Sequence, residues 1–366
     1  MRESDSATLM TEGSIWKKIT FLQCPFFWVN LFQQMYNTAD SLIVGNFLGS
    51  NALAAVSSSG NLIYLMIGFF NGIALGAGVV IARYFGARDQ ENVEKAVHTT
   101  VAFGIVASIV LTIVGVFFAP QILVWMQTPA NVMPESTEYF RVYFMGSAGF
   151  VMYNMFVGIL QAVGDSKHPL YYLILSSIIN VVLDIVFITV FDMGVGGAAF
   201  ATDISQVVSA VLCMIQLMRS KAEYRLNLRK IRFEWDIFKQ VIQFGLPSGF
   251  QNSIIAIANV VVQSNINSFG EMAMAGCGAY SKIEGFGFLP ITSFTMALTT
   301  FVSQNLGAKN YERTKKGARF GIACAMILAE VIGIIIFIAA PVFVAAFDRT
   351  PEVIVFGTER ARTSAL

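Results

Sequence analysis

The chain has 366 residues, 24 Lys and Arg against 23 Asp and Glu, a net charge of +1, and 13% charged residues beside 55% hydrophobic ones; a soluble domain carries about 25% charged. With 32 Phe, 16 Met and 30 Gly and a mean hydropathy of +0.64, the apolar excess runs the whole length. That excludes a water-soluble globular protein, leaves no basic field for nucleic acid, and predicts an all-α, polytopic membrane protein.

The stretch from Met1 to Ser14 is polar, and the apolar run behind it is too long for a cleavable signal core, so the first helix reads as an uncleaved anchor. Apolar stretches of the roughly 20 residues a bilayer requires follow at 16–47, 52–82, 97–118, 136–163, 169–190, 197–218, 238–264, 273–305 and 317–343, nine complete spans. Nineteen of the 24 Lys and Arg fall in the N-terminal segment and in the loops after even-numbered spans. Cytoplasmic loops hold such an excess, so the N-terminus is expected in the cytoplasm.

Sliding the chain along itself until Gly86-Ala87-Arg88 falls on Gly307-Ala308-Lys309 also places Glu91 on Glu312, Lys95 on Lys316, and Ala119-Pro120 on Ala340-Pro341, without a gap. The offset covers six spans, an even number, so the repeat is parallel, about an axis along the membrane normal. The expected organisation is an N-terminal six-helix bundle at 1–218, a basic cytoplasmic linker at 219–239, and a partial C-terminal bundle at 240–366 holding spans 7 to 9 and the start of a tenth. Counterparts of residues 136–218 would occupy 357–439, beyond Leu366, so the sequence reads as truncated at its C-terminus.

Chemistry-bearing motifs are sparse. Cys24, Cys213, Cys277 and Cys324 lack CxxC spacing and read as buried thiols, and His98 and His168 are too far apart for a haem or His-metal cluster. The sequence holds no GxxxxGK, HExxH or GxSxG segment, which argues against ATP-driven pumping and against an enzyme. No cofactor is implied.

Pro25, the run Gln33-Gln34-Met35-Tyr36-Asn37-Thr38-Ala39-Asp40, Gly86-Ala87-Arg88, Gly164-Asp165-Ser166-Lys167 with Pro169, Asn180 with Asp184, and Gln304-Asn305-Leu306-Gly307-Ala308 occur in order on the predicted spans. Together they resemble the multidrug and toxic compound extrusion (MATE) family, in particular its bacterial DinF-like branch. The resemblance implies two six-helix bundles flanking a central cleft. It also implies secondary active efflux of organic, cationic or amphipathic compounds in antiport with H+ or Na+ by alternating access. The setting it implies is a bacterial inner (plasma) membrane, with the chain a monomer in the lipid bilayer and small organic molecules as substrates. One alternative is a lipid-linked precursor flippase of the same superfamily, which would want intramembrane basic residues to meet a pyrophosphate; the other is an inactive truncated fragment.

Residue chemistry and the resemblance converge on one site. A charged group at the bilayer centre costs about 2.5–3.5 kcal/mol on insertion scales, so Asp40 and Asp184 need a task. Gln33, Asn37 and Asp40 share a helix face at i, i+4, i+7, as Asn180 and Asp184 do at i, i+4, and Thr202 adds a hydroxyl. Two carboxylates in a low dielectric repel each other, and a proton or a hard cation such as Na+ relieves them. The resemblance assigns cation coupling, with Na+ as a possible occupant, to Asp40, Asn180, Asp184 and Thr202; a polar knot that only joins helices is the plainer alternative. Expected substrate contacts are Gln33, Tyr36, Asn37, Asn154 and Glu284, with Tyr36 the aromatic partner for a cation. Glu284 is either a second anchor or the partner of Lys282 in an ion pair. Pro25 removes one helical hydrogen bond and is either a hinge that bends when the carboxylates change their load or a static kink. The repeat does not duplicate the carboxylate, since Asp40 lands on Val261 and Asn37 on Ala258.

Overall fold

In hydrocarbon the backbone must satisfy its own hydrogen bonds, so apolar runs of this length become helices. The computed structural model describes residues 9–365 apart from 126, 127, 129, 131, 268, 270 and 348, and all regular structure among the described residues is helical. The helices are α1 (Ile15–Leu48), α2 (Ser50–Gly86), α3 (Gln90–Trp125), α4 (Met133–Met145), α5 (Ser147–Ala162), α6 (Lys167–Ile185), α7 (Gly194–Arg219), α8 (Trp235–Asn267), α9 (Glu271–Gly307), α10 (Tyr311–Phe347) and α11 (Pro351–Ala365). Among the described residues six helices are long and apolar enough to cross a membrane, or seven if α4 and α5 count as one bent span. The nine expected spans exceed that number by α1 and α8: in α1, Asn30, Gln33, Asn37 and Asp40 dilute the apolar run, and in α8 the side chains at 260, 263 and 264 lie outside the described residues.

Two local departures from the expected spans matter for the site. The stretch 136–163 is not one helix, because the chain bends by 50° between α4 and α5. A Cβ on Gly146, at the break, would collide with the carboxyl of Asp203 on α7. Glycine lets that carboxyl approach the backbone at the bend. The second departure is a π-helical turn, Val186–Val190, that continues α6 immediately after Asp184; such turns insert a residue and re-aim side chains, often at functional sites.

The two largest buried apolar clusters lie mainly between α2 and α8. One core joins Ile81, Val97, Ile159, Leu160 and Leu217 to Tyr224 and Leu226 of the basic stretch and to Val241 of α8. A second joins Val44, Leu111, Phe140, Phe144 and Ile188. A third, of Ile19, Leu22 and Phe26 with Phe294, Ala297 and Phe301, couples α1 to α9. Outward-facing Phe117, Val190, Ile338 and Val342 are 71–74% exposed, a surface that suits lipid and not water. Of the cysteines, Cys213 and Cys277 are buried, but Cys24 is exposed on α1.

Helices α2 and α8 approach backbone to backbone, since a Cβ on Gly72 or Gly76 would collide with the backbone of Gly249 or Gly245. At the ends of α2 and α9 a Cβ on Gly86 would collide with the Gln304 backbone, and one on Gly307 with the Arg83 carbonyl. The N-terminal residues brace this closed end. Met10 is fully buried; its N–H donates to Gln304 Oε1 at 2.8 Å, and its carbonyl accepts from Asn305 and Arg313.

Candidate functional site

The α1 face carrying Gln33, Tyr36, Asn37 and Asp40 borders a cavity of about 750 Å³. Across it stand Tyr139 and Tyr143 of α4, Tyr153 and Asn154 of α5, Thr202 and Gln206 of α7, and Lys282 of α9. A second cavity of about 280 Å³ shares Gln33, Tyr153 and Asn154 with the first and reaches Gln161, Thr300 and Ser303, towards the closed ends of α2 and α9. Asn154 is partly tied down, its Nδ2 donating to the Phe150 carbonyl at 2.8 Å.

Behind Asp40, on α6, lie Asn180 and Asp184, both with no exposed surface. The carboxyls of Asp40 and Asp184 are within hydrogen-bonding reach of each other, although neither can donate as a carboxylate. Asn180 Nδ2 donates to Thr202 Oγ1 at 3.4 Å. Asp40 Oδ1, both carboxylate oxygens of Asp184 and Asn180 Oδ1 are buried without a hydrogen-bond donor. A buried polar atom left unpaired costs about 1–3 kcal/mol, so this many acceptors around two carboxylates form a cluster that a positive charge would relieve. The donor set is oxygen only, which suits a proton or a hard cation.

The expected residues do not all converge. Glu284 stands away from the two cavities, where it accepts from the Tyr280 hydroxyl at 3.4 Å, and Tyr280 packs on Ala340 and Ala361. No ion pair within 4 Å joins Glu284 to Lys282 among the described residues; two positions apart on a helix, they point to different faces. Pro25 is half-buried within an unbroken α1. Asn252 bridges α8 to the Gly68 carbonyl at 3.3 Å, Asn259 is exposed, and the side chain of Gln263 lies outside the described residues.

Sequence reasoning passed over Asp203. It is buried against Gly146 at the α4–α5 break, next to Thr202 of the site. The signal was present, because a third carboxylate in an apolar stretch carries the same insertion cost as Asp40.

A family model described as MatE matches residues 25–186 and 247–364. The chain belongs to the MatE family. MatE members are transporters, not enzymes, and the relatives carry multidrug-export names. The probable multidrug resistance protein YoeA of Bacillus subtilis is 29% identical over 335 residues, 90% of this chain and 72% of the relative. The probable multidrug resistance protein NorM of Thermotoga maritima is 24% identical over 344 residues, 92% of this chain and 73% of the relative. Among solved structures, a MATE crystal structure in the bent conformation superposes with a TM-score of 0.90 at 26% identity, covering 99% of this chain and 80% of that one. An outward-facing multidrug resistance MATE transporter of the MOP superfamily also gives 0.90, at 25% identity over 100% and 81%. The chain is thus a multi-pass membrane protein of a multidrug efflux transporter family.

Proposed function

We propose that this chain exports organic, cationic or amphipathic compounds by alternating access in antiport with H+ or Na+. The observation that carries the reading is the pair of buried carboxyls, Asp40 and Asp184, facing each other among unpaired oxygens at the wall of a substrate-sized cavity. A coupling ion bound by Asp40, Asn180, Asp184 and Thr202 removes their mutual repulsion. It also alters the charge that Asp40 presents to the cavity, so ion and substrate cation compete for one carboxylate. Gln33, Tyr36, Asn37 and Asn154 contact the substrate in this reading, Glu284 is a more distant anchor, and Pro25 lets α1 bend as the ion load changes. Differential affinity of this kind is what shifts a transporter between its two openings.

The same reading divides the chain into bundles at 1–218 and 240–366 joined by 219–239, related as a parallel repeat. It is supported by α2 and α9, which end at the matched glycines Gly86 and Gly307, and by the matched pair Arg88 and Lys309, both left-handed with φ of 57°. α1 and α8 complete the spans in this arrangement, and the polar face of α1 lines the cleft. The protein acts as a monomer in a bacterial plasma membrane with its N-terminus cytoplasmic, in line with the basic loops.

The test is ion flux in proteoliposomes on addition of an organic cation, with the wild-type chain and Asp40→Asn side by side. The expected result is flux driven by a proton or sodium gradient, abolished in Asp40→Asn. Undiminished flux in the variant would reduce the carboxyl pair to a joint between helices.

A further inference from the structure

Two of the side chains lining the larger cavity are ionisable at neutral pH, Asp40 and Lys282, and they come from opposite walls. Helices α1 and α9 run antiparallel: Asn30 Nδ2 donates to Ser293 Oγ at 3.0 Å, and further along α1 a Cβ on Gly285 would lie 3.8 Å from Gln34 Nε2. Continued by one more turn, that register brings Lys282 to the level of Asn37 and Asp40. Its side chain is exposed to the cavity. Among the described residues no carboxylate lies within 4 Å of its ammonium, since Glu284 turns to Tyr280 and Asp40 faces Asp184.

An ammonium at this depth without a partner is costly, and intramembrane charges pair or mark a substrate path. A simple organic cation would be attracted by Asp40 and repelled by Lys282 in the same chamber. A zwitterion would be attracted by both ends.

We propose that Lys282 anchors the acidic group of the exported compound, so that the cleft selects aromatic or amphipathic molecules carrying both an amine and an acid. This rests on the efflux reading and names its substrate class. Ion uptake at Asp40 then releases the amine end while Lys282 still holds the acid end. The acid can be a carboxylate on a solute or the phosphate of an acidic lipid, which present the same chemistry to an ammonium.

The experiment is fluorescence binding to the purified chain in nanodiscs of zwitterionic lipid. The probes are the zwitterion Nε-dansyl-lysine and its methyl ester, which keeps the amine and the ring and loses the acid. The wild type is expected to bind the zwitterion about tenfold more tightly than the ester. Lys282→Gln is expected to erase that preference by weakening zwitterion binding, with the ester bound as tightly as before or more tightly once the repulsion is gone, and Lys282→Arg to retain it. Ester binding at least as tight as in the wild type shows that the variant is folded. Displacement of the zwitterion by phosphatidylglycerol in the wild type but not in Lys282→Gln supports the anchor and assigns its natural ligand to the lipid. Equal affinity for both probes in the wild type, or a preference that survives Lys282→Gln, overturns the assignment and leaves efflux standing. A preference that follows Lys282 with no transport of either probe in vesicles overturns the efflux reading and leaves the anchor standing.

Discussion

The two walls of the cleft are built from similar helices and differ in what they carry. On one, α1, α6 and α7 hold two facing carboxyls and a set of undonated oxygens; on the other, α8 presents Val261, 56% exposed, at the repeat position of Asp40. The second wall contributes glycine contacts instead, Gly245 and Gly249 against α2 and Gly307 against Arg83. Chemistry is concentrated on α1, α6 and α7, and close backbone contact lies where α2 meets α8 and α9. The proposed ion coupling would need both, because a change of charge does nothing unless some interface has two packings to choose between.

Breaking the first wall should have the largest effect. Asp184→Asn leaves Asp40 without its opposing charge, and ion-driven efflux in proteoliposomes is expected to fall at least about tenfold, equivalent to about 1.4 kcal/mol of lost coupling. Val261→Asp in that background should restore nothing, since position 261 lines neither of the two cavities described above; recovered coupling would show that the walls are interchangeable. Breaking the seam comes next. In Gly307→Leu the new side chain meets the Arg83 carbonyl, and overpacking typically costs about 1–3 kcal/mol. The closed ends of α2 and α9 should part, and a Ser303→Cys reporter facing the smaller cavity should react several-fold faster with a bulky thiol reagent. An unchanged labelling rate would mean that this contact is not the barrier.

The legibility of these features in the sequence follows from how local their causes are. The all-helical fold was readable because hydrocarbon leaves a long apolar run no other choice. Asp40 and Asp184 were readable because a carboxyl in such a run is costly wherever it points. By that rule Asp203 was equally visible, and it was missed for want of a motif around it. The break at Gly146 was not visible, because it depends on a carboxyl from α7, distant in the chain. Nor was the burial of Met10, since a polar N-terminal segment gives no sign that Gln304, Asn305 and Arg313 will gather around its backbone. Lys282 was read only as a neighbour of Glu284, and the helix turns the two apart.

Asp203 sharpens the comparison at intermediate scale, because its carboxyl fills the space that a side chain on Gly146 would need. Asp203→Ala removes the group that wedges α4 from α5 and leaves a cavity beside Thr202. Thermal unfolding in detergent should show a loss of about 1–3 kcal/mol, with efflux reduced and not abolished. If stability is untouched, the bend is intrinsic to Gly146.

The smallest effects are expected where the basic stretch docks on α3, and two neighbours there should behave differently. His98 is buried, its Nδ1 2.7 Å from the Glu94 carbonyl and its Nε2 3.1 Å from the Asn227 N–H, an arrangement that one neutral tautomer satisfies at both nitrogens. His98→Ala leaves the Asn227 N–H without its ring partner, at about 1–3 kcal/mol. One turn away Lys230 reaches Glu94 at 2.7 Å, but with side chains 60% and 41% exposed, and water and salt compete for such a pair. Lys230→Gln should therefore cost about 0–1 kcal/mol and leave coupled flux unchanged. A loss from Lys230→Gln as large as that from His98→Ala would mean that the ion pair, and not the buried ring, holds the linker to the first half.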